Sequence, residues 1–174
     1  MADVKDASQP RFLREAELRR AIEMLFFAYR DFTGEPDAML AGTGLGRAHH
    51  RAIYFVGSNP DITVTQLLEI LKITKQSLSR VLSQLLREGY IEQHMATDDR
   101  RKRLLRLTEK GVALERALTA QQRKRIQGAY EAAGPEAVEG FKAVMHGIMD
   151  SADRWRFEST DETASSAGSG EARS

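Results

Sequence analysis

Apolar residues recur at helical spacing through most of this chain, and the places where the period breaks mark its elements. Phe12, Ala16, Leu18, Ile22, Leu25, Phe26 and Tyr29 fit one helix, and Thr33-Gly34-Glu35-Pro36 predicts its end. A loop carrying Gly42, Gly44 and Gly46 follows. Leu45–Ser58 predicts a second helix, whose run Ile53-Tyr54-Phe55-Val56 leaves little room for a polar face, so it should lie between layers. Gly57-Ser58-Asn59-Pro60 stops it.

Thr63 and Gln66 stand at capping-box spacing, which predicts a short helix from Val64. After the turn Lys72-Ile73-Thr74 another helix should run to Glu88, with Thr74 as its N-cap and Gly89 just past its end. Leu78, Val81, Leu82 and Leu85 form its buried stripe, and Gln76, Ser79, Arg80, Ser83, Gln84 and Arg87 its polar face. The period then changes. Tyr90–His94 and Leu104–Leu107 read as two short strands around a polar tip, Ala96–Arg103. A long helix from Thr108 to about Ala133 follows, Gly134-Pro135 breaks it, and Val138, Phe141, Met145, Ile148, Met149, Ala152 and Trp155 mark one face of a last helix. From Glu158 the composition is that of a disordered extension.

The fold class is therefore mainly α with a small β-hairpin wing: a winged helix-turn-helix plus a helical dimerisation region. The expected organisation is a flexible N-terminus at 1–11 and a dimerisation helix with its loop at 12–43. The winged helix-turn-helix would occupy 44–107, C-terminal dimerisation helices 108–157, and a disordered tail 158–174. The apolar faces at both ends are more than the central fold can cover, which points to a homodimer.

Charge sharpens this picture. The net charge of +1 decides nothing, but Lys72 to Lys110 holds ten basic residues against five acids, which leaves the rest of the chain acidic. With no cysteine, disulfides, thiolate zinc sites and thiol redox sensing are excluded. No run approaches the roughly 18 apolar residues of a membrane span, and nothing reads as a secretory signal, so a cytoplasmic protein without membrane contact is expected. Gly-rich phosphate loops, HExxH and GxSxG are absent, so no enzyme is expected.

A helix, tight turn, helix and basic wing suit double-stranded DNA. The second helix can enter the major groove, where every base pair shows a distinct pattern of donors and acceptors. Gln76, Arg80 and Gln84 can make paired hydrogen bonds to bases, whereas Lys75, Ser77, Ser79 and Ser83 suit phosphates, Arg87 of the same face is a further DNA-binding candidate, and the helix N-terminus at Thr74 adds backbone N–H groups. At the tip, Arg100, Arg101, Lys102 and Arg103 repel one another unless an anion is near. One of Arg100 and Arg101 should face the minor groove and the other pair with Asp98 or Asp99. The alternative is a winged helix that grips another protein without binding DNA.

Residues Ile62-Thr63, Leu78-Ser79-Arg80, Leu85 with Gly89-Tyr90-Ile91-Glu92, and Asp99-Arg100-Arg101 followed by Leu104 and Leu107-Thr108-Glu109-Lys110-Gly111 resemble the multiple-antibiotic-resistance regulator (MarR) family. The resemblance covers about Leu45 to Gly111. It implies an obligate dimer through the first and last helices, DNA contacts from Thr74–Arg87 and a wing arginine, and an effector cleft between the dimer and DNA-binding regions. Arg47, His50 and Tyr54 share a helix face where that cleft would lie, and they favour a small aromatic or anionic effector. The long Gly34–Gly46 connection departs from the family pattern. His49 and His50 are adjacent, about 100° apart on a helix, and do not suit one metal, so no cofactor or metal is expected. The Arg123-Lys124-Arg125 triplet reads as solvated, and Phe26, Phe27, Phe32 and Trp155 as core or dimer interface.

Overall fold

The computed structural model describes residues 10–96 and 102–158. After a single turn at Arg11–Leu13, the helices are α1 (Glu15–Leu40), α2 (Arg47–Ser58), α3 (Val64–Leu71), α4 (Lys75–Arg87), α5 (Glu109–Ala133), α6 (Pro135–Ile148) and α7 (Ser151–Glu158). Strands β1 (Ile62–Thr63), β2 (Ile91–Met95) and β3 (Arg103–Leu107) form one antiparallel sheet in the order β1-β3-β2. In the hairpin, Ile91 faces Leu107, Gln93 faces Leu105 and Met95 faces Arg103. The chain divides into two compact units, one up to Arg125 and the other from Ile126.

In the first unit the core gathers Ala52, Ile53 and Val56 of α2, Leu67 and Leu71 of α3, Leu78, Val81, Leu82 and Leu85 of α4, and Ile62, Ile91 and Leu105 of the sheet. Leu118 of α5 joins them. Each fully buried branched side chain contributes about 1.5–3 kcal/mol. The four of α4 therefore outweigh its N-cap, worth about 1 kcal/mol. Packing makes α4 a helix; the caps decide where it begins and ends.

Those caps sit where the sequence puts them. Gln66 N donates to Thr63 Oγ1 (3.2 Å) and Thr63 N to Gln66 Oε1 (2.9 Å), which closes the capping box of α3. Lys72 ends α3 in the left-handed region (φ +47°) and Ser77 N donates to Thr74 Oγ1 (3.1 Å), so only the turn Lys72–Thr74 separates the two helices. At the far end Gly89 takes φ +73°, Gly89 N donates to Leu86 O (3.1 Å) and Tyr90 N to Leu85 O (2.9 Å). This paired closure needs a residue at positive φ, which glycine supplies without strain.

Three expectations are corrected. The first helix does not stop at Thr33–Pro36 but continues to Leu40. A proline inside a helix leaves the carbonyl four residues earlier without its N–H partner. Here that carbonyl belongs to Phe32, and Gln122 Nε2 of α5 donates to it instead (3.3 Å), while Pro36 itself is buried. The long Gly34–Gly46 connection thereby shrinks to 41–46. The helix expected from Leu45 starts at Arg47 and is amphipathic, with Arg51 and Tyr54 exposed opposite buried Ala52, Ile53 and Val56. The last helix is broken between Ile148 and Ser151, where Met149 is extended and Arg154 donates to the end carbonyls Met149 O and Gly147 O (3.1 Å each).

Apolar side chains remain uncovered in both units of the single chain. In the first unit no residue of α1 before Thr33 is buried, and Phe12, Ile22, Met24, Phe26 and Phe27 are exposed. In the second, Tyr130 and Phe141 meet edge to face (6.1 Å), yet Val144, Ile148, Trp155 and Phe157 are exposed.

Candidate nucleic-acid interface

The stripe that anchors α4 in the core leaves the opposite face to solvent. Thr74, Lys75, Gln76, Ser77, Ser79, Arg80, Ser83 and Arg87 are all exposed. Thr74 Oγ1 also donates to Ser77 Oγ (2.8 Å), which fixes both hydroxyls at the helix N-terminus. Arg87 keeps most of its side chain in solvent, with Glu88 Oε1 at 3.6 Å. Gln84 differs from this set. It is half-buried and hydrogen-bonded to Gly44 O (3.1 Å), Glu88 Oε1 (2.9 Å) and His49 Nε2 (3.0 Å).

Of the wing residues, Lys102 and Arg103 are exposed where β3 begins, and Ala96 N donates to Lys102 O (3.0 Å), which extends the hairpin by one rung. Arg100 and Arg101, with the expected pairing to Asp98 or Asp99, lie outside the described residues.

Sequence reasoning missed what holds the wing to the core. Asp61, just before β1 at φ +67°, accepts from Arg106 Nε (2.6 Å) on β3 and from His94 Nε2 (2.8 Å) on β2. These hydrogen bonds, Arg106 first and His94 second, pull the Asp61 carboxyl down to about 2. One carboxylate thus staples all three strands. Its local signal was the Asn59-Pro60-Asp61 turn, since Asp tolerates the left-handed region better than most residues. The partners, distant in sequence, gave none.

The run Leu107–Gly111 ties the other end of the wing to α4. Thr108 Oγ1 donates to Gly89 O (2.7 Å) and accepts from Gly111 N (3.1 Å), so it both joins the turn after α4 and caps α5. Lys110 Nζ donates to Glu88 O at the end of α4 (2.8 Å) and lies 4.1 Å from the Tyr90 ring centre. Gly111 leaves room for the Tyr90 carbonyl, which a Cβ there would meet at 2.0 Å.

Comparison with known proteins agrees with a helix-turn-helix and wing. The sequence profile described as MarR family matches residues 43–102. The HTH-type transcriptional regulator PetP of Rhodobacter capsulatus is 50% identical over 147 residues, covering 84% of this chain and 89% of its own. The chain belongs to the MarR family. Two solved structures share the fold of this MarR-family chain. They are FabT of Streptococcus pneumoniae in complex with DNA (TM-score 0.67, 22% identity, 75% of this chain and 94% of that one) and an S. aureus MepR–DNA complex (0.58, 18%, 72% and 93%).

Of the three residues assigned to an effector, Arg47 and Tyr54 are exposed and His50 is buried. Arg47 forms an ion pair with Asp37 of α1 (Nε to Oδ2 3.1 Å) and its guanidinium stands 5.7 Å from the Tyr29 ring centre. The bond to Asp37 raises its pKa above the ordinary value, so it stays cationic. Tyr54 is exposed and packs edge-on against Phe55 (5.2 Å). His50, by contrast, is buried, and burial lowers its pKa against the opposing pull of Asp37 and Glu115. A shared helical face did not translate into shared exposure. No described helix is long and apolar enough to cross a membrane.

Proposed function

We propose that this MarR-family regulator binds palindromic double-stranded DNA as a homodimer, reading bases with α4 and gripping the backbone or minor groove with its wings. The exposed polar face of α4, held by caps at both ends and by a fully apolar stripe beneath, is the observation that carries the reading. Gln76 and Arg80 are the base readers, because both are exposed and can make paired hydrogen bonds to a base edge. Lys75, Ser77, Ser79, Ser83, Arg87, Lys102 and Arg103, with Arg100 and Arg101 of the tip, supply phosphate and minor-groove contacts.

A second copy is the natural cover for the apolar side chains of α1 and, separately, of α6 and α7, since groups of exposed large apolar side chains mark interaction sites. Two-fold symmetry would place two reading helices one duplex turn apart, about 34 Å. The relatives give no support to a protein-gripping wing in place of DNA. Selection of bound sites from a pool of random duplexes tests this reading: an inverted repeat with half-sites one turn apart is expected, and recovery of no consensus would refute it.

For control we place a small anionic or aromatic acid beside Arg47 and Tyr54. A carboxylate there would compete with Asp37 for Arg47 and so act on the joint between α1 and α2. Such a ligand changes DNA affinity only by preferring one dimer shape, with a coupling of about 1–3 kcal/mol. Thermal-shift screening of aromatic carboxylates, followed by DNA affinity with and without each hit in wild type and Arg47→Ala, tests it. A hit that acts equally on both proteins would refute the site.

A further inference from the structure

The amide of Gln84 is used at both ends, and the chemistry of its partners fixes every hydrogen in the arrangement. Gly46 N lies 3.1 Å from His49 Nδ1, and a backbone N–H can only donate. Nδ1 is therefore the acceptor, Nε2 carries the ring hydrogen, and that hydrogen is donated to Gln84 Oε1 at 3.0 Å. With its oxygen so placed, Gln84 turns Nε2 to two acceptors, Gly44 O (3.1 Å) and Glu88 Oε1 (2.9 Å). The bonds run in one sense, from Gly46 N–H through His49 and Gln84 back to Gly44 O. They close a ring between the connection that follows α1 and the last turn of the reading helix.

This ring does something the core cannot. The packing of α2 against α4 through Ala52, Ile53 and the leucines of α4 decides which face of α4 is buried, but it is apolar and supplies no directional bond to pin the last turn of α4 to the connection after α1. Hydrogen bonds with fixed donors and acceptors supply that link. They also join α4 to the segment leading out of α1 rather than to the wing.

We propose that His49 and Gln84 are positioning residues for DNA reading: they set α4 against the connection between α1 and α2, and a change in that connection reaches the reading helix through them. Gln84 is accordingly not a base reader. The proposal rests on the DNA-binding reading given above.

The test uses the full chain, the duplex that wild type recovers from a random pool, and a scrambled duplex of equal length. Gln84→Met keeps the volume and removes the amide. His49→Asn keeps an acceptor for Gly46 N–H, and hence the cap of α2, but is too short to reach Gln84. Each variant should bind the selected duplex about tenfold more weakly, the range of one lost hydrogen bond, and bind scrambled duplex as wild type does. The double variant should be no worse than either single one, because both break the same link. The loss should spread evenly over all base positions of the site. In wild type, nitrogen NMR of His49 should show the Nε2–H tautomer with Nε2–H hydrogen-bonded, and Gln84→Met should keep the tautomer, since Gly46 N–H still holds Nδ1, but shift the Nε2 signal as its acceptor is lost.

Three results would overturn the proposal. Variants with wild-type affinity would show that the ring positions nothing. Loss of preference at one base position in Gln84→Met alone, with His49→Asn unaffected, would make Gln84 a base reader. Equal loss on both duplexes in step with lowered thermal stability would make the ring merely structural. A wild-type chain that selects no duplex at all would instead bring down the DNA-binding reading, and the proposal with it, before any variant is compared.

Discussion

At Gly111 a single missing atom decides how α5 meets the turn after α4. A Cβ there would lie 2.0 Å from Tyr90 O, and that oxygen is held in place by Thr108 N (3.1 Å). Gly111→Ala should therefore destabilise the chain by about 1–3 kcal/mol in urea unfolding, the usual cost of overpacking. Gly128, also within α5 but exposed and with nothing within 4 Å of where a Cβ would sit, should behave in the opposite way. Gly128→Ala should stabilise by about 0.5–1 kcal/mol. If the two substitutions have the same sign, the close approach at Gly111 is not the cause. On α4, Arg80→Ala should cost roughly 1–3 kcal/mol of affinity at one base position, whereas Lys75→Ala should weaken all sequences alike. Equal losses on selected and random duplex in both variants would remove Arg80 from base reading.

Buried His50 makes stability depend on pH. Burial lowers its pKa from the ordinary 6.5, so in the folded chain it resists protonation that the unfolded chain accepts. Stability should then be full above about pH 6.5 and fall as the pH drops below it, because the unfolded state binds more protons. His50→Gln should flatten that fall below about pH 6.5, read as the urea midpoint against pH. Asp61 does not confuse the measurement: its carboxyl, lowered from 3.8 to about 2, loses its contribution only between those values. An unchanged slope in His50→Gln would contradict the assignment.

Among the elements, those whose limits are set by neighbours in sequence were legible and those set by distant partners were not. Thr63 with Gln66, Thr74 with Ser77, and Gly89 announce the limits of α3 and α4 because the groups they satisfy lie within a few residues. The end of α1 was misread because the carbonyl that Pro36 frees is satisfied by Gln122, 90 residues away from Phe32. Gln122→Leu should for that reason lower stability by about 1 kcal/mol, whereas the same substitution at exposed Gln121 should not. Equal effects would mean that α1 tolerates Pro36 for another reason. Strand β1 has only two residues, too few for any alternation to show, and exists through its pairing with β3. The break before α7 was hidden because the apolar spacing from Phe141 to Trp155 continues across it. Of the candidate site, the face of α4 was read correctly as exposed except for Gln84, whose partners Gly44 and His49 stand 40 and 35 residues away. A polar residue on a polar face gives no sign that it is already spent.

For the whole molecule we propose that the uncovered apolar surface of each chain is met by a second chain and that the pair binds duplex DNA. Light scattering at micromolar concentration should give about twice 19.5 kDa. The most direct single measurement is a fluorescence titration of the selected duplex across a range of salt, with the bound stoichiometry read at saturation. Two chains per duplex are expected. The logarithm of affinity should fall linearly with the logarithm of salt, losing about 10³–10⁵ between 50 and 200 mM if six to ten phosphates are contacted. An affinity indifferent to salt, or one chain bound per duplex, would contradict the account.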